Sequence, residues 1–168
     1  MKRMAFLIGL VGMCAVGTGH SAQTKWPDFM PTLEPGISVS PVPTIVPEDV
    51  KVEVPASDIP LDRTRWSGRW HGWACRDRTC DTRLIVESVT ATGATIIYAF
   101  ASATQKPISR RLGATFVGEE LQGTLGGGTT VAYRMRRSGE IEFLWQRGDN
   151  WVAGILENEA LPSQEKSH

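Results

Sequence analysis

The chain has 168 residues, 18 basic and 18 acidic side chains, no formal net charge at neutral pH, and 41% hydrophobic residues. That length bounds it to one domain of modest size. The balanced charge, with no dense basic stripe, argues against a nucleic-acid partner.

Residues 1–22 read as a secretory signal peptide. Lys2 and Arg3 form a positive start, Met4 to Val16 an apolar stretch, and Gly19, Ser21 and Ala22 offer small residues for cleavage. The apolar stretch is shorter than the roughly 20 residues that span a bilayer as a helix. No integral membrane segment is therefore expected after cleavage, and the protein is expected in the periplasm or outside the cell. Lipidation at Cys14 is disfavoured by the bulk of the preceding Met13.

Residues 23–62 read as a Pro-rich acidic linker or arm. Eight of the ten prolines fall here, and two lysines face seven acids. Proline at that density forbids a helix and removes ladder donors from a strand, so an extended, mobile segment is expected. Val50, Val52 and Val54 alternate as a short edge strand would. Trp26 and Phe29 are unusual in a solvated linker; they are either incidental or docked onto the domain or a partner. Residues 63–157 hold 13 basic and nine acidic side chains, so domain and arm are expected to attract each other. This domain is expected to fold without the arm. Residues 158–168 read as a flexible tail.

From Arg65 onward, short apolar runs alternate with turn residues every eight to twelve positions, the pattern of an all-β protein. Eight strands are predicted, at about 65–74, 82–89, 94–100, 107–117, 119–125, 129–136, 140–146 and 150–156, and together they predict a single small antiparallel β-barrel or meander. In the first strand Trp66 and Trp70 share a face with Gly68 and Gly72. Glycine is tolerated inside a strand where it admits a bend or the close approach of another group.

One register can be read directly. A three-residue loop Arg137-Ser138-Gly139, with Gly139 in the left-handed position, sets Met135 opposite Ile141, Tyr133 opposite Phe143 and Val131 opposite Trp145. It also sets Arg134 opposite Glu142. A shift by one residue would turn the apolar set to solvent. The Arg/Glu ladder is expected on the outside as a solvated face.

Cys75 and Cys80 remain after removal of the signal, and in an oxidising compartment they are expected to form a disulfide. No metal site and no cofactor are expected, because His71 is the only histidine in the domain. A triad would have to use His71 with a serine such as Ser67, and no Gly-x-Ser-x-Gly elbow occurs. Asp77, Asp81, Glu87 and Asp149 could supply a carboxylate pair, but turn and surface roles account for each. Gly126-Gly127-Gly128 is a turn, since it lacks the helix and Lys-Ser/Thr of a phosphate loop. No catalytic residue is assigned.

Gly68-Arg69-Trp70 resembles the Gly-x-Trp that opens the first strand of lipocalins and other calycins, and avidin-like barrels begin similarly. The Thr-Asp-x-Tyr motif of lipocalins is absent. Trp66 to Gly72 also resembles the Trp-x-Gly-x-Trp-x-Gly start of small exported bacterial domains of no established activity. In outline the chain is similar to calycin-type inhibitors of secreted metalloproteases as well. The resemblance implies an eight-stranded barrel that binds a small ligand, or a protease inhibitor whose N-terminal segment enters a cleft. At this size the interior can be filled by side chains.

The leading expectation is an exported, non-enzymatic binding or accessory barrel. Its partner is a small apolar or sugar-like ligand, or a protein. Trp66, Trp70 and Trp73, with Arg69, His71 and Arg83, are the candidate binding residues. An enzyme with an unrecognised site remains the alternative from another class.

Overall fold

The computed structural model describes residues 24–159; the signal-peptide reading of residues 1–22 and nearly all of the tail lie outside them. Eight strands run β1 (Gly68–Ala74), β2 (Cys80–Val89), β3 (Gly93–Ser102), β4 (Gln105–Val117), β5 (Glu120–Gly126), β6 (Thr129–Met135), β7 (Ile141–Arg147) and β8 (Asn150–Asn158). Each pairs antiparallel with the next, and β8 returns to β1, giving a closed barrel. All-β architecture and the strand count are as the sequence predicts. Closure removes the open edges of the sheet.

Two glycines make the last seam possible. A Cβ on Gly72 would lie 2.0 Å from the Ile155 carbonyl oxygen, and one on Gly154 would lie 2.0 Å from the Trp73 carbonyl oxygen. Reciprocal glycines thus let β1 and β8 come together where any side chain would hold them apart. The close approach expected at Gly72 is that of β8 itself.

The β6–β7 hairpin has the predicted register: Met135 pairs with Ile141, Tyr133 with Phe143, Val131 with Trp145 and Arg134 with Glu142. Gly139 adopts φ 108°, and the Arg136 amide donates to the Glu140 carbonyl at 2.8 Å. The inward faces converge on one core in which Leu84, Ile96, Tyr98, Leu121, Tyr133, Ile141 and Phe143 are fully buried. Tyr98 and Tyr133 lie 5.8 and 5.6 Å from the Phe143 ring, centroid to centroid. An eight-stranded barrel is about wide enough for its side chains to fill, and here the inward rings and aliphatic chains pack into one buried cluster.

Trp66 differs from expectation. It precedes β1, in the turn after a four-residue helix α1 (Leu61–Thr64), and Gly68 with φ 134° begins the strand. Trp66 still enters the core, where its carbonyl accepts the Trp70 indole N–H at 3.1 Å and its ring meets Phe116 edge-on at 5.7 Å. α1 and Trp66 lie at the end of the barrel that carries the β4–β5 and β6–β7 turns. The Cys75–Cys80 disulfide ties the β1–β2 hairpin at the opposite end.

The arm lies against the outside of the barrel. It makes a tight turn at Met30–Thr32. Trp26 donates to Glu120 at 2.7 Å and stacks under the Arg134 guanidinium at 4.6 Å. Met30 is fully buried against Leu144 and Ala153. Farther on, Thr44 bonds to Asp81, Asp49 to Arg111, and Glu53 to the β2 backbone. Proline removes N–H donors and keeps carbonyls, and the barrel supplies matching donors. Arg136 donates to the Met30 and Leu33 carbonyls at 2.6 and 2.9 Å, and Trp73 donates to the Glu34 carbonyl at 3.1 Å.

This belt changes one expectation. The Arg/Glu ladder does face outward, but it is not solvated: Glu142 is 3% exposed, held by Arg134 at 2.7 Å and Arg136 at 3.0 Å beneath the arm.

Candidate functional site

The six candidate residues fall into four places. Trp66 and Trp70 are buried in the core. Arg69, His71 and Trp73 point to the outer face, as alternation from Trp70 requires. Arg69 is exposed, whereas His71, Arg83 and Trp73 lie under or beside the arm. The structure therefore brings His71 and Arg83 together, sets Trp73 apart from them, and leaves Trp66 and Trp70 inside.

The His71–Arg83 cluster is a clasp for the arm. Asp81, 4% exposed, accepts the Thr44 backbone N–H and hydroxyl, each at 2.7 Å, and pairs with His71 Nε2 at 2.7 Å. Arg83 donates to the Thr44 hydroxyl at 3.0 Å and pairs with Glu159. Burial resists ionisation of Asp81, but the bonds from His71 and Thr44 outweigh it and lower its pKa to about 2. Every strong acceptor in the cluster is engaged. Ser67, the serine considered for a triad, donates instead to the Glu53 carbonyl at 3.2 Å.

A second clasp lies further along. Arg111 pairs with Glu87 at 2.7 Å and with both oxygens of Asp49 at 2.9 and 3.0 Å. The hydrogen bond from Arg111 holds Asp49 below the usual carboxylate range. The expected attraction between arm and domain is realised here, although most arm contacts run through its backbone.

Trp73 leads to a different feature. At the disulfide end, a groove of about 540 Å³ is walled by Phe29 and Leu33 of the arm, Trp73 of β1, and Trp151 and Val152 of β8. Trp151 is 48% exposed and Phe29 42%, their centroids 5.4 Å apart. Arg76 and Asp77 stand at the rim. Among the described residues, the Trp151 indole N–H and the Arg76 and Asp77 side chains make no hydrogen bond or ion pair. The β1–β2 hairpin that carries Arg76 and Asp77 is strained, with Cys75, Asp77 and Arg78 at φ 67°, 59° and 60°. Such conformations cost roughly 1–3 kcal/mol each and gather at binding and catalytic sites.

The sequence marks Phe29 as unusual for a linker but does not join it to Trp151. They are 122 positions apart, and only the wrapped arm makes them neighbours. Among the described residues, no group of three or more His, Cys, Asp or Glu is placed to hold a metal ion.

The fold defines a closed, eight-stranded antiparallel meander barrel of lipocalin-like architecture. No protein-family model, no curated protein and no solved structure matches the chain.

Proposed function

We propose that this is an exported, non-enzymatic binding protein that takes a small ring-bearing ligand on the outside of its barrel, in the groove between Trp151 and the arm. One observation carries the reading: aromatic walls converge there with three unengaged polar groups, the Trp151 N–H, Arg76 and Asp77. Small-molecule sites are mostly apolar hollows of roughly 300–1,000 Å³ with a few polar groups to orient the ligand. A sugar-like ring fits that mixture, with an apolar face for Trp151 and hydroxyls for the two opposite charges at the rim. The inward rings are buried against one another, which argues against the barrel lumen as the site. The disulfide fits export.

The resemblance to calycin-type protease inhibitors favours the arm as the active segment. An inhibitor working through residues 24–60 would first have to lift them from the barrel, so this reading ranks below the groove.

Calorimetric titration with cellobiose tests the proposal. Saturable binding is expected, weakened at least tenfold in Trp151→Ala. That ring is half exposed, so the variant should melt like the parent. No binding, or equal binding by parent and variant, would sink the sugar-groove reading.

A further inference from the structure

At the opposite end of the barrel, a pocket of about 240 Å³ opens between α1 and the β4–β5 and β6–β7 turns. Trp66 and Met135 form its floor, and Arg63, Arg65, Arg136 and Arg137 its walls. Like charges gathered around one pocket repel one another unless something negative neutralises them.

The four are not equally engaged. Arg136 spends all its nitrogens on Glu142 and on the Met30 and Leu33 carbonyls. Arg63 donates to the Gly118 carbonyl at 2.9 Å, lies 4.1 Å over the Phe116 ring and faces Asp62 at 3.5 Å. Arg65 makes one bond, to the Arg136 carbonyl at 3.2 Å. The Arg137 guanidinium makes none among the described residues. Glu119, at the rim, is the one carboxylate of the lining that has no partner among them. Arg65 and Arg137 together therefore leave the pocket with a positive excess, against a dry indole floor.

We propose that this pocket binds a small tetrahedral oxyanion, a phosphate or phosphate monoester, through Arg65 and Arg137. Guanidinium forks match phosphate oxygens in pairs, and arginine is weakly hydrated enough to do so beside an aromatic floor. The volume suits one phosphoryl group with a small substituent. Nothing in this assignment depends on the groove at the other end.

The full-length exported protein should be titrated calorimetrically with inorganic phosphate and with glucose 6-phosphate, at fixed ionic strength set by chloride. Saturable binding of one equivalent is expected. The Arg65→Ala/Arg137→Ala double variant should weaken it at least tenfold without lowering Tm, since both side chains are exposed. Glu119→Gln should tighten it a few-fold, an effect that a purely structural role for these residues would not produce. Tighter binding of the ester would mark a monoester as the ligand, and equal binding would mark free phosphate. No saturable heat with either probe, or binding unchanged in the double variant, would overturn the proposal.

Discussion

The inside of the barrel and the outer face beneath the arm are equally dry but differently made. Inside, Leu84, Ile96, Tyr133 and Phe143 are shielded by closure of the sheet and pack in a cluster of apolar side chains. Outside, Trp73, Leu144 and Ile155 are buried together with Asp81, Glu87 and Glu142, which are 4%, 8% and 3% exposed. The first surface is dry because of strand alternation. The second is dry because a proline-rich segment covers it and offers carbonyls, amides and a threonine hydroxyl to its charged groups. Alternation is a local property of sequence, and coverage is not.

The comparison can be broken most directly by cutting into each surface. Phe143→Ala removes a fully buried ring from the interior and should cost roughly 3–5 kcal/mol. Met30→Ala empties the fully buried arm anchor and should cost roughly 2–5 kcal/mol if the belt is part of the fold. Urea unfolding of both variants measures this. A near-zero cost at Met30 would show the arm to be the loose linker that its composition suggests.

A smaller effect sharpens the charged side of the contrast. An exposed Arg/Glu pair contributes about 0–1 kcal/mol. Arg134 also covers Trp26 and holds a buried Glu142, and hydrogen bonds to charged groups contribute roughly 1.5–3 kcal/mol. Arg134→Glu should therefore exceed the surface value, with an unfolding midpoint clearly below that of a reversal at the exposed Arg110. Equal midpoints would return the ladder to solvent.

The mildest test is with acid. The pKa of Asp81 is lowered to about 2 in the folded protein, below its unfolded value of 3.8. Its contribution is therefore fully present above about pH 4 and is lost as pH falls through about 2. Asp81→Asn should flatten stability between pH 4 and pH 2 relative to the parent. An unchanged acid limb would mean that the Thr44 clasp does not hold the ionised form.

Sequence alone determined an all-β chain of eight antiparallel strands, and the β1–β8 seam closed it into a barrel. Alternation fixed which residues of β6 and β7 face inward, Gly139 set their register, and the turn spacing counted eight strands. The cysteine pair marked its own hairpin. All of these are short-range, because a strand's period is two and a hairpin closes within a few residues. Tertiary structure alone decided where the arm goes and hence what the outer face is. The Arg/Glu ladder reads as solvated until Met30 and Leu33 are laid across it. Trp151 reads as one more tryptophan until Phe29 arrives from the far end of the chain. Arg65 and Arg137 share a pocket only because α1 and the β6–β7 turn meet at one end of a closed sheet. The physical reason is common to the first two. An irregular proline-rich segment has no periodicity to announce which face it buries, and its partners are chosen by the surface that the rest of the chain has already built.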